Sequence, residues 1–398
     1  MKILRIIYDW PPPWQGLAPH PYEITVFQTK LGHEVSIFCG RWPKAGAIIE
    51  PKGCKVYPII REPFKGAIFF TSSIILFFKY LFWRKSHKTD IIHCHGHFAV
   101  WIYVYRAFLQ KHFPWVKELK TPLIVHFHNV AKSRWVSFEE KKKPISPISK
   151  YFVWPMCVFS DKMAIKTAAA CIFVSRKNKE DAIKYYKADP KRCFIVETGV
   201  NSDLFIPTNQ VEREKSRKEL GLDRFDQVLL NHGVMSERKN IDLLIKTLAL
   251  LPDPYKLILA GTGSDNYMEK LSDLMDKHNI KDRVILMGYI PYPEAPIAYQ
   301  ISDVFILPSE WEGLPKAVMQ GLSCGVPCVV SGFKLSREIQ GLYYLEDTKP
   351  KLIAEKIKEI IDNKPIVDID KVKNYYSWDS RVKEIEKIYV FAQKNYLL

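Results

Sequence analysis

The feature that most constrains the fold is a long alternation of strand-length apolar runs with stretches of helical period. In the first half of the chain the predicted strands are residues 3–8, 35–38, 56–60, 91–94, 123–127, 171–174 and 194–196. A second series has strands near Val228, Leu257, Val284, Val304 and Val329. Strands that alternate with helices form parallel sheets with helices on their faces. The pattern therefore predicts an α/β protein with two Rossmann-like domains.

The two series of strands are separated by the polar segment TNQVEREKSRKELGLDRFDQ, which begins directly after Pro207. A chain of 398 residues is also longer than a single ordinary domain. We therefore predict an N-terminal domain over residues 1–207 and a C-terminal domain over residues 208–376.

Charge is distributed unequally between the halves. Residues 1–200 hold 32 Lys and Arg against 14 Asp and Glu, whereas residues 201–398 hold 27 against 29. A basic half indicates an anionic partner, which could be a membrane surface, a phosphorylated acceptor or nucleic acid. A merely solvated basic face is the alternative. Because the chain carries no recognised nucleic-acid motif, we predict no nucleic-acid partner.

The first residues and the cysteines indicate the compartment. Asp9 and the following prolines interrupt the N-terminal apolar run before it reaches the length of a signal-peptide core. Eight cysteines are scattered without a C-x-x-C pair or the spacing of a disulfide scaffold. We predict free thiols and a cytoplasmic location.

The segment AIFFTSSIILFFKYLFW, residues 67–83, is apolar enough to be considered for membrane contact. It is at the short limit for a membrane span and contains Lys79, and Arg84, Lys85 and Lys88 follow it. We predict a helix that lies against an anionic bilayer, with an ordinary core helix as the alternative. The protein would then be peripheral to the inner face of the cell membrane.

Loops that follow the strands are the places to look for ligands in an open parallel sheet. Gly16 lies in the loop after the first strand, where a glycine lets the backbone approach a phosphate. His128 follows the fifth strand, where it could contact a sugar hydroxyl or a leaving phosphate. A structural role is the alternative for both residues, and for His126.

A histidine-rich segment, HCHGH, follows the fourth strand. His93, His95 and His97 alternate, which would place the three imidazoles on one side of an extended segment and could bind a metal. No acidic or cysteine partner at convincing spacing accompanies them. We therefore favour hydrogen bonding as their role and predict no metal.

The most informative stretch is a strand, a carboxylate-rich loop, a short helix and another strand. Glu310 and Glu312 lie just past the strand, Gly313 frees the backbone, and the helix begins near Pro315. A carboxylate accepts hydrogen bonds from sugar hydroxyls, and helix-end amides stabilise a departing diphosphate. The stretch therefore predicts a sugar-diphosphate site.

PSEWEGLPKAVMQGLSCGVPCVVS resembles the signature of the retaining GT-B glycosyltransferases of family 4, whose motif is Glu, seven residues, then Glu. By this resemblance Glu312 holds the donor sugar, with Gly313, Leu314 and Pro315 beside it. Gln320 stands at the second glutamate, which binds ribose in the family. Glutamine brings no charge and fewer acceptor sites.

Further segments resemble the family in the expected order: LGHEVSIF, DIIHCHG, LIVHFHN, CFIVETGVNSDLFIP, LLNHGVMSERKNIDLLI, LILAGTG and YYSWDSRVKEIEKIY. The resemblance implies a GT-B fold of two domains facing across a cleft, with a C-terminal helix over residues 377–398 that packs back on the N-terminal domain.

Donor-binding residues follow from the same resemblance. Lys239 would contact the donor diphosphate, Gly233 would begin its loop, and Gly263 would lie in a second loop. The family often has arginine directly after the first glycine, where this chain has Val234, so Arg238 is the expected substitute. Thr198 and Asn201 likewise replace an asparagine and an aspartate.

The implied reaction transfers a sugar from a nucleotide sugar to a glycan or lipid-linked acceptor with retention of configuration. The diphosphate would be neutralised by Lys239, Arg238 and helix-end amides, with His128 and Glu312 as further catalytic residues and no metal or other cofactor. Two alternatives stay open at this point. One is an epimerase of GT-B architecture, and the other is a nucleotide-sugar-binding pseudoenzyme, suggested by Gln320, Val234 and Thr198.

Overall fold

A computed structural model describes residues 1–14, 16–42, 46–60, 67–140 and 145–396. The chain forms two compact units. The first comprises Met1–Glu197 together with Arg381–Leu398, and the second comprises Thr198–Ser380.

The first unit is built on a seven-stranded parallel sheet with the order β3-β2-β1-β4-β5-β6-β7. The order reverses direction between β1 and β4, which are hydrogen-bonded neighbours. Its strands are β1 (Lys2–Ile7), β2 (Glu34–Arg41), β3 (Cys54–Ile60), β4 (Ile91–His95), β5 (Leu123–Phe127), β6 (Ala170–Phe173) and β7 (Cys193–Ile195). The α-helices of this unit are α1 (Pro19–Lys30), α2 (Ser72–Ser86), α3 (Val100–His112), α4 (Ala131–Glu140), α5 (Trp154–Thr167) and α6 (Arg176–Tyr186).

The second unit has a six-stranded parallel sheet with the order β10-β9-β8-β11-β12-β13. Its strands are β8 (Gln227–His232), β9 (Tyr255–Ala260), β10 (Val284–Gly288), β11 (Val304–Pro308), β12 (Cys328–Ser331) and β13 (Leu342–Tyr344). Its helices are α7 (Gln210–Glu219), α8 (Ile241–Leu248), α9 (Asp265–Lys277), α10 (Pro296–Gln300), α11 (Lys316–Ser323), α12 (Pro350–Asn363) and α13 (Ile369–Tyr376). The last helix of the chain is α14 (Trp378–Tyr396).

Every strand predicted from the sequence is present, and the sheets are parallel as expected. Helix α8 begins at the predicted Ile241, and its apolar face is buried in the core of the second unit. Strand β13 was not predicted from the sequence. That strand has three residues, all partly exposed, and a polar loop follows it, so it lacks the continuous apolar run of a buried strand.

The observed units divide at Glu197–Thr198, ten residues before the division near Pro207 that the polar segment predicted. The intervening residues pack on the second unit. Phe205 is fully buried against Tyr292 and Tyr299, and its carbonyl accepts a 2.6 Å hydrogen bond from Ser323 Oγ. Tertiary packing of these few residues, which carries no compositional signal, determines the boundary.

Helix α14 joins the first unit from Arg381 onward. There Tyr389 is fully buried, with its hydroxyl 2.6 Å from His93 Nδ1, and Glu386 accepts a 2.7 Å hydrogen bond from Gln28.

Two further predictions concern the cysteines and the apolar segment over residues 67–83. All eight cysteines are free thiols, as predicted. Helix α2 occupies most of the apolar 67–83 segment. Among the described residues, no helix combines the length and the apolar character needed to cross a bilayer.

Candidate functional site

The carboxyl ends of β8, β11 and β12 bring three loops of the second unit together. The amide of Glu310 donates to the carbonyl of Arg238 at 2.9 Å, and the amide of Glu312 donates to the carbonyl of Gly332 at 2.8 Å. Gly332 is needed at its position. It has a φ of +85°, and a Cβ there would lie 2.6 Å from the Ser309 carbonyl oxygen. These backbone bonds fix the loop that carries Glu312.

Arg238, Lys239 and Glu312, which we call the Glu312 cluster, form the charged centre of this region. Arg238 Nη1 lies 2.7 Å from Glu312 Oε1 and donates to the Trp311 carbonyl at 2.6 Å, while its guanidinium lies 4.8 Å from the centre of the Trp311 ring. Ser309 Oγ donates to the same Oε1 at 3.0 Å. The Glu312 carboxylate is therefore oriented through one of its two oxygens.

Lys239 sits against the loop that Gly233 begins. Gly233 has a φ of +127°, which side chains rarely adopt, and a Cβ on it would displace Lys239 Nζ from its present position. Burial lowers the pKa of Lys239, the Arg238 charge lowers it further, and Glu312 opposes the shift. An anion bound here would stabilise a charge that burial makes costly.

Gln320 lies on α11 and is almost fully buried. Its Oε1 accepts a 2.9 Å hydrogen bond from the Tyr299 hydroxyl, which also lies 2.8 Å from His232 Nδ1. Since Tyr299 gives its single proton to Gln320, His232 must donate through Nδ1. Burial, followed by the charges of Lys239 and Lys316, lowers the pKa of His232 to about 4, so this chain of three side chains is neutral at pH 7.

The remaining predicted donor residues lie around this centre. Gly313, Leu314 and Pro315 are partly buried in the segment that leads into α11, and Pro315 is its N-cap. Gly263 follows β9, and a Cβ there would lie 3.0 Å from the Met235 carbonyl oxygen. Gly16, in contrast, belongs to the first unit.

A cavity of about 230 Å³ lies at the carboxyl end of the first sheet. Its walls are mostly apolar, and its polar lining residues include Asp9, His95, His97, His128, Asn129 and Asp161. Gly16 shapes the loop beside the cavity, because it has a φ of +56° and its missing Cβ leaves space for Asp9 Oδ2. The same Asp9 oxygen accepts the Leu17 amide at 3.2 Å.

Five histidines pack together at this cavity, and His95 and His128 form part of its wall. We call the five the histidine stack: His20, His93, His95, His126 and His128. Strand register explains the packing, since His95 is paired with His126 across β4 and β5. His95 Nδ1 lies 3.2 Å from His128 Nε2. Among the described residues, His95 Nε2 and both nitrogens of His126 have no hydrogen-bond partner. Burial is the main cause that lowers the pKa of His93, His95 and His126 well below 6.5, and the buried Arg5 contributes.

Two triads in the stack hold nitrogens within 4.8 Å of one another, which raises the possibility of a metal. The rings of His93, His95 and His126 are within 23° of parallel, with centres 4.5 to 5.6 Å apart. A metal binds in the plane of an imidazole ring, so parallel stacked rings do not converge on one ion. In the second triad, His20, His95 and His128, two members already bond each other. The absence of a metal stays a prediction.

The sequence prediction that His93, His95 and His97 share one side of an extended segment is wrong for His97. Strand β4 ends at His95, and Gly96, with a φ of +68°, turns the chain into a short helix. His97 instead pairs with Asp161 on α5 at 3.4 Å. Burial alone would lower the pKa of His97, but its interactions with Cys157 and the Asp161 carboxylate raise it to about 9.

Asp161 was not found by sequence reasoning. It is fully buried, accepts the Ala131 amide at 2.8 Å and accepts the Tyr186 hydroxyl at 3.1 Å. Asp161 lies inside an ordinary helix, 64 positions after His97. Because no local motif connects the two residues, only the fold reveals their pairing.

A larger cavity, of about 670 Å³, lies at the opposite edge of the second sheet, beside the residues that precede β8, β11 and β12. Two of the arginines that line it are already paired with a carboxylate. Arg213 and Arg217 each contact Asp303, at 2.5 and 2.7 Å. Ligands of open parallel sheets bind at the carboxyl ends of strands, so this cavity is not the candidate site.

Comparison with known families matches both units. Residues 14–204 match the family described as Glycosyltransferase Family 4, and residues 212–376 match Glycosyl transferases group 1. An uncharacterized glycosyltransferase of Methanocaldococcus jannaschii is 23% identical over 412 aligned positions, covering 99% of each chain. The UDP-Gal:alpha-D-GlcNAc-diphosphoundecaprenol alpha-1,3-galactosyltransferase of Escherichia coli is 26% identical, covering 86% of this chain and 83% of its own.

Solved structures agree on the fold. Sucrose-phosphate synthase from Thermosynechococcus elongatus has a TM-score of 0.75 at 16% identity and covers 98% of both chains. HepE from Anabaena, solved in complex with UDP and glucose, has a TM-score of 0.71 at 16% identity, covering 97% of this chain and 98% of its own. Two units with parallel sheets, as described above, are the shared architecture.

Proposed function

Because this chain belongs to the family 4 glycosyltransferases of the GT-B fold, we propose that it moves a sugar from a nucleotide sugar to a glycan or lipid-linked acceptor with retention of configuration. The observation that carries the proposal is the Glu312 cluster, in which two cations and a carboxylate meet at the carboxyl ends of β8, β11 and β12. The epimerase and pseudoenzyme alternatives are not favoured, since the curated relatives described above are glycosyltransferases.

Donor binding is proposed to use the cluster as follows. Arg238 and Ser309 both bond Glu312 Oε1, so we assign Oε2 to the hydroxyls of the donor sugar. The donor diphosphate lies near Lys239 and the N-terminus of α11, whose free amides favour an anion. Gln320, held by Tyr299, contacts the ribose.

Catalysis in this scheme is electrostatic. As the bond from the sugar to the diphosphate breaks, negative charge grows on the phosphate oxygens, and Lys239, Arg238 and the helix amides stabilise it. Positioned cations of this kind supply the neutralisation that the leaving group needs, so we propose that no metal takes part. His128 is proposed to contact a substrate oxygen from the first unit.

A binding screen tests the donor site. Purified protein is heated with UDP, GDP or ADP and with their sugars, alongside Glu312→Gln and the matched control Glu269→Gln, whose side chain is exposed on α9. We expect one nucleotide sugar to raise the melting temperature of wild type and of the control but not of Glu312→Gln. If no nucleotide stabilises folded wild type, the proposal is wrong.

The anomeric coupling of the product, measured by NMR, tests retention.

Association with the cytoplasmic face of an anionic membrane is the second part of the proposal. The exposed stripe of α2 contains Ile75, Phe78 and Phe82, with exposed fractions of 49%, 54% and 68%, and Lys79 and Lys85 lie on the same side. Apolar side chains flanked by lysines are typical of helices that lie in the bilayer interface. The basic first half and the free thiols are consistent with this location, and the Escherichia coli relative is named for a lipid-linked acceptor.

Flotation with liposomes tests this second part. Replacing Phe78 and Phe82 with serine removes two side chains whose insertion into the bilayer contributes about 1–2 kcal/mol each to the free energy of binding. We therefore expect roughly a tenfold loss of binding per residue. Phe225→Ser, at a side chain that is 64% exposed in the second unit, is the matched control. Equal loss in the control and the α2 variants would contradict a role for α2.

A further inference from the structure

The hydrogen-bond contact between His95 and His128 indicates which ring nitrogen of His128 carries the proton. His95 lies at the end of β4 and is 2% exposed. Its Nδ1 is 3.2 Å from His128 Nε2. The two ring planes make an angle of 19°, and the ring centres are 5.5 Å apart. The rings therefore meet edge to edge, as a hydrogen bond between imidazoles requires.

Only two proton arrangements are open to this pair when both rings are neutral. A neutral imidazole has one N–H donor and one bare acceptor nitrogen. Burial, together with the neighbouring His93, His126 and His128 and the Arg5 charge, keeps the pKa of His95 well below 6.5, so this ring is neutral at pH 7. Either His95 donates from Nδ1 to His128, or His128 donates from Nε2 to His95.

The second nitrogen of His95 distinguishes the arrangements. Among the residues that the structure describes, His95 Nε2 is buried without a hydrogen-bond partner. If His128 donated, the proton of His95 would sit on this Nε2 as a buried N–H without an acceptor, which is the rarer and costlier defect. If His95 donates, Nε2 is a bare lone pair, and the positive charge of the nearby Arg5 favours a lone pair over a proton there.

We infer that His95 is a positioning residue that donates from Nδ1 to His128 Nε2 and so holds His128 in the tautomer with its proton on Nδ1. His128 then presents a hydrogen-bond donor, and it does not act as a base. Since His128 lines the cavity of the first unit, its partner is an oxygen of a bound substrate, either a sugar hydroxyl or a phosphate. This assignment of a substrate contact rests on the proposed function, whereas the tautomer itself does not.

NMR of wild-type protein labelled with ¹⁵N at histidine tests the tautomer directly. Long-range proton–nitrogen correlations distinguish a protonated from a bare ring nitrogen, and loss of one set of signals in His128→Asn assigns His128. We expect Nδ1 of His128 to be protonated and Nε2 to be bare at pH 7. The reverse pattern overturns the inference, whatever reaction the protein catalyses.

Activity of two His95 variants tests the consequence. In His95→Asn the side-chain amide can place a donor near the position of Nδ1, whereas His95→Leu has no donor. We expect kcat to fall about tenfold in His95→Leu with KM within twofold, and to recover to within about threefold of wild type in His95→Asn.

His93→Leu is the matched control, because His93 is equally buried but bonds Tyr389 rather than His128. Similar losses of kcat in His93→Leu and both His95 variants would indicate a structural role and overturn the inference. If wild type shows the expected tautomer but no transfer activity, the proposed function fails while the tautomer assignment stands.

Discussion

The two units hold opposite kinds of chemistry at the same place in their sheets. At the carboxyl edge of the second sheet, Arg238, Lys239 and Glu312 carry charge and stay partly exposed. At the carboxyl edge of the first sheet, the histidine stack is almost entirely buried and three of its members are neutral. One Rossmann-like frame therefore supports an anion-binding centre in one unit and a set of hydrogen-bonding imidazoles in the other.

The difference lies in what surrounds each group. The Glu312 carboxylate is paired with a guanidinium and a hydroxyl, so its charge is compensated within the loops. In the part of the chain that the structure describes, neither ring nitrogen of His126 has a hydrogen-bond partner, and the cation of Arg5 contributes to lowering its pKa. Buried bases beside a cation lose their protons. We expect the second unit to respond to anions and the first unit to respond more strongly to pH, because the first buries three neutral histidines in its stack and the second buries His232.

Acid should unfold the first unit before the second, and this is the largest effect we expect. The unfolded state binds a proton at each of His93, His95 and His126 below about pH 6.5, whereas the folded state does not. The free energy of unfolding should therefore fall by about 2 kcal/mol per histidine between pH 6.5 and 5, and these three histidines should add little pH dependence above that window. Hydrogen exchange measured by mass spectrometry at pH 7 and pH 5 reports each unit separately.

His126→Asn is the variant that sharpens this prediction, because an asparagine takes up no proton and should reduce the pH slope by about one third. If the second unit loses protection first, or if the slope is unchanged in His126→Asn, then the histidine stack does not make the first unit the more sensitive to acid.

Removal of the ammonium group from the Glu312 cluster should have the next largest effect. Lys239→Ala should lower kcat/KM by about 100- to 1,000-fold, since a positioned charge on the leaving group is worth about 3–4 kcal/mol in the transition state. Lys277→Ala, at an exposed lysine on α9, is the matched control and should retain activity. Comparable activity of Lys239→Ala and wild type would indicate that the catalytic centre does not lie in this unit.

Local motifs explain why the site residues of the second unit were easier to predict from the sequence than the contacts of the first unit. The loop from Ser309 to Pro315 and its helix are contiguous in sequence, so one signature located Glu312 and Gln320 together. Gly233 and Lys239 lie six positions apart, and the structure brings them into contact. The period of the apolar runs located the strands of both sheets for the same reason, because alternation is a local property.

Long-range contacts explain what the sequence did not reveal in the first unit. The partner of His97 is on a helix far along the chain, and the partner of His93 is Tyr389 on the last helix. Strand register, which sets His95 beside His126, depends on which strands are neighbours. The alternation of histidines in HCHGH predicted the wrong position for His97, because Gly96, which has a positive φ, turns the chain after the strand ends.

His97 provides a pH response of opposite sign within the same unit. Its pKa is raised to about 9 in the folded state, so its stabilising contribution is complete below pH 6.5 and is lost as pH rises through 9. The shift corresponds to about 3 kcal/mol. Urea unfolding between pH 6.5 and 9.5 should show this decline in wild type, and His97→Gln should remove it. A decline that persists in His97→Gln would assign it to other groups.

The smallest effect should come from restoring the family's glutamate at position 320. In Gln320→Glu the Tyr299 hydroxyl can still donate to the side chain, so the fold has no new unpaired group. A carboxylate accepts stronger hydrogen bonds than an amide, and two ribose hydroxyls offer two donors. We expect the dissociation constant for the donor, measured by calorimetry, to fall three- to tenfold, or about 1 kcal/mol. Weaker donor binding in a folded Gln320→Glu protein would mean that the neutral His232–Tyr299–Gln320 chain is itself adapted to the ligand, and that the second unit uses a buried neutral network as the first unit does.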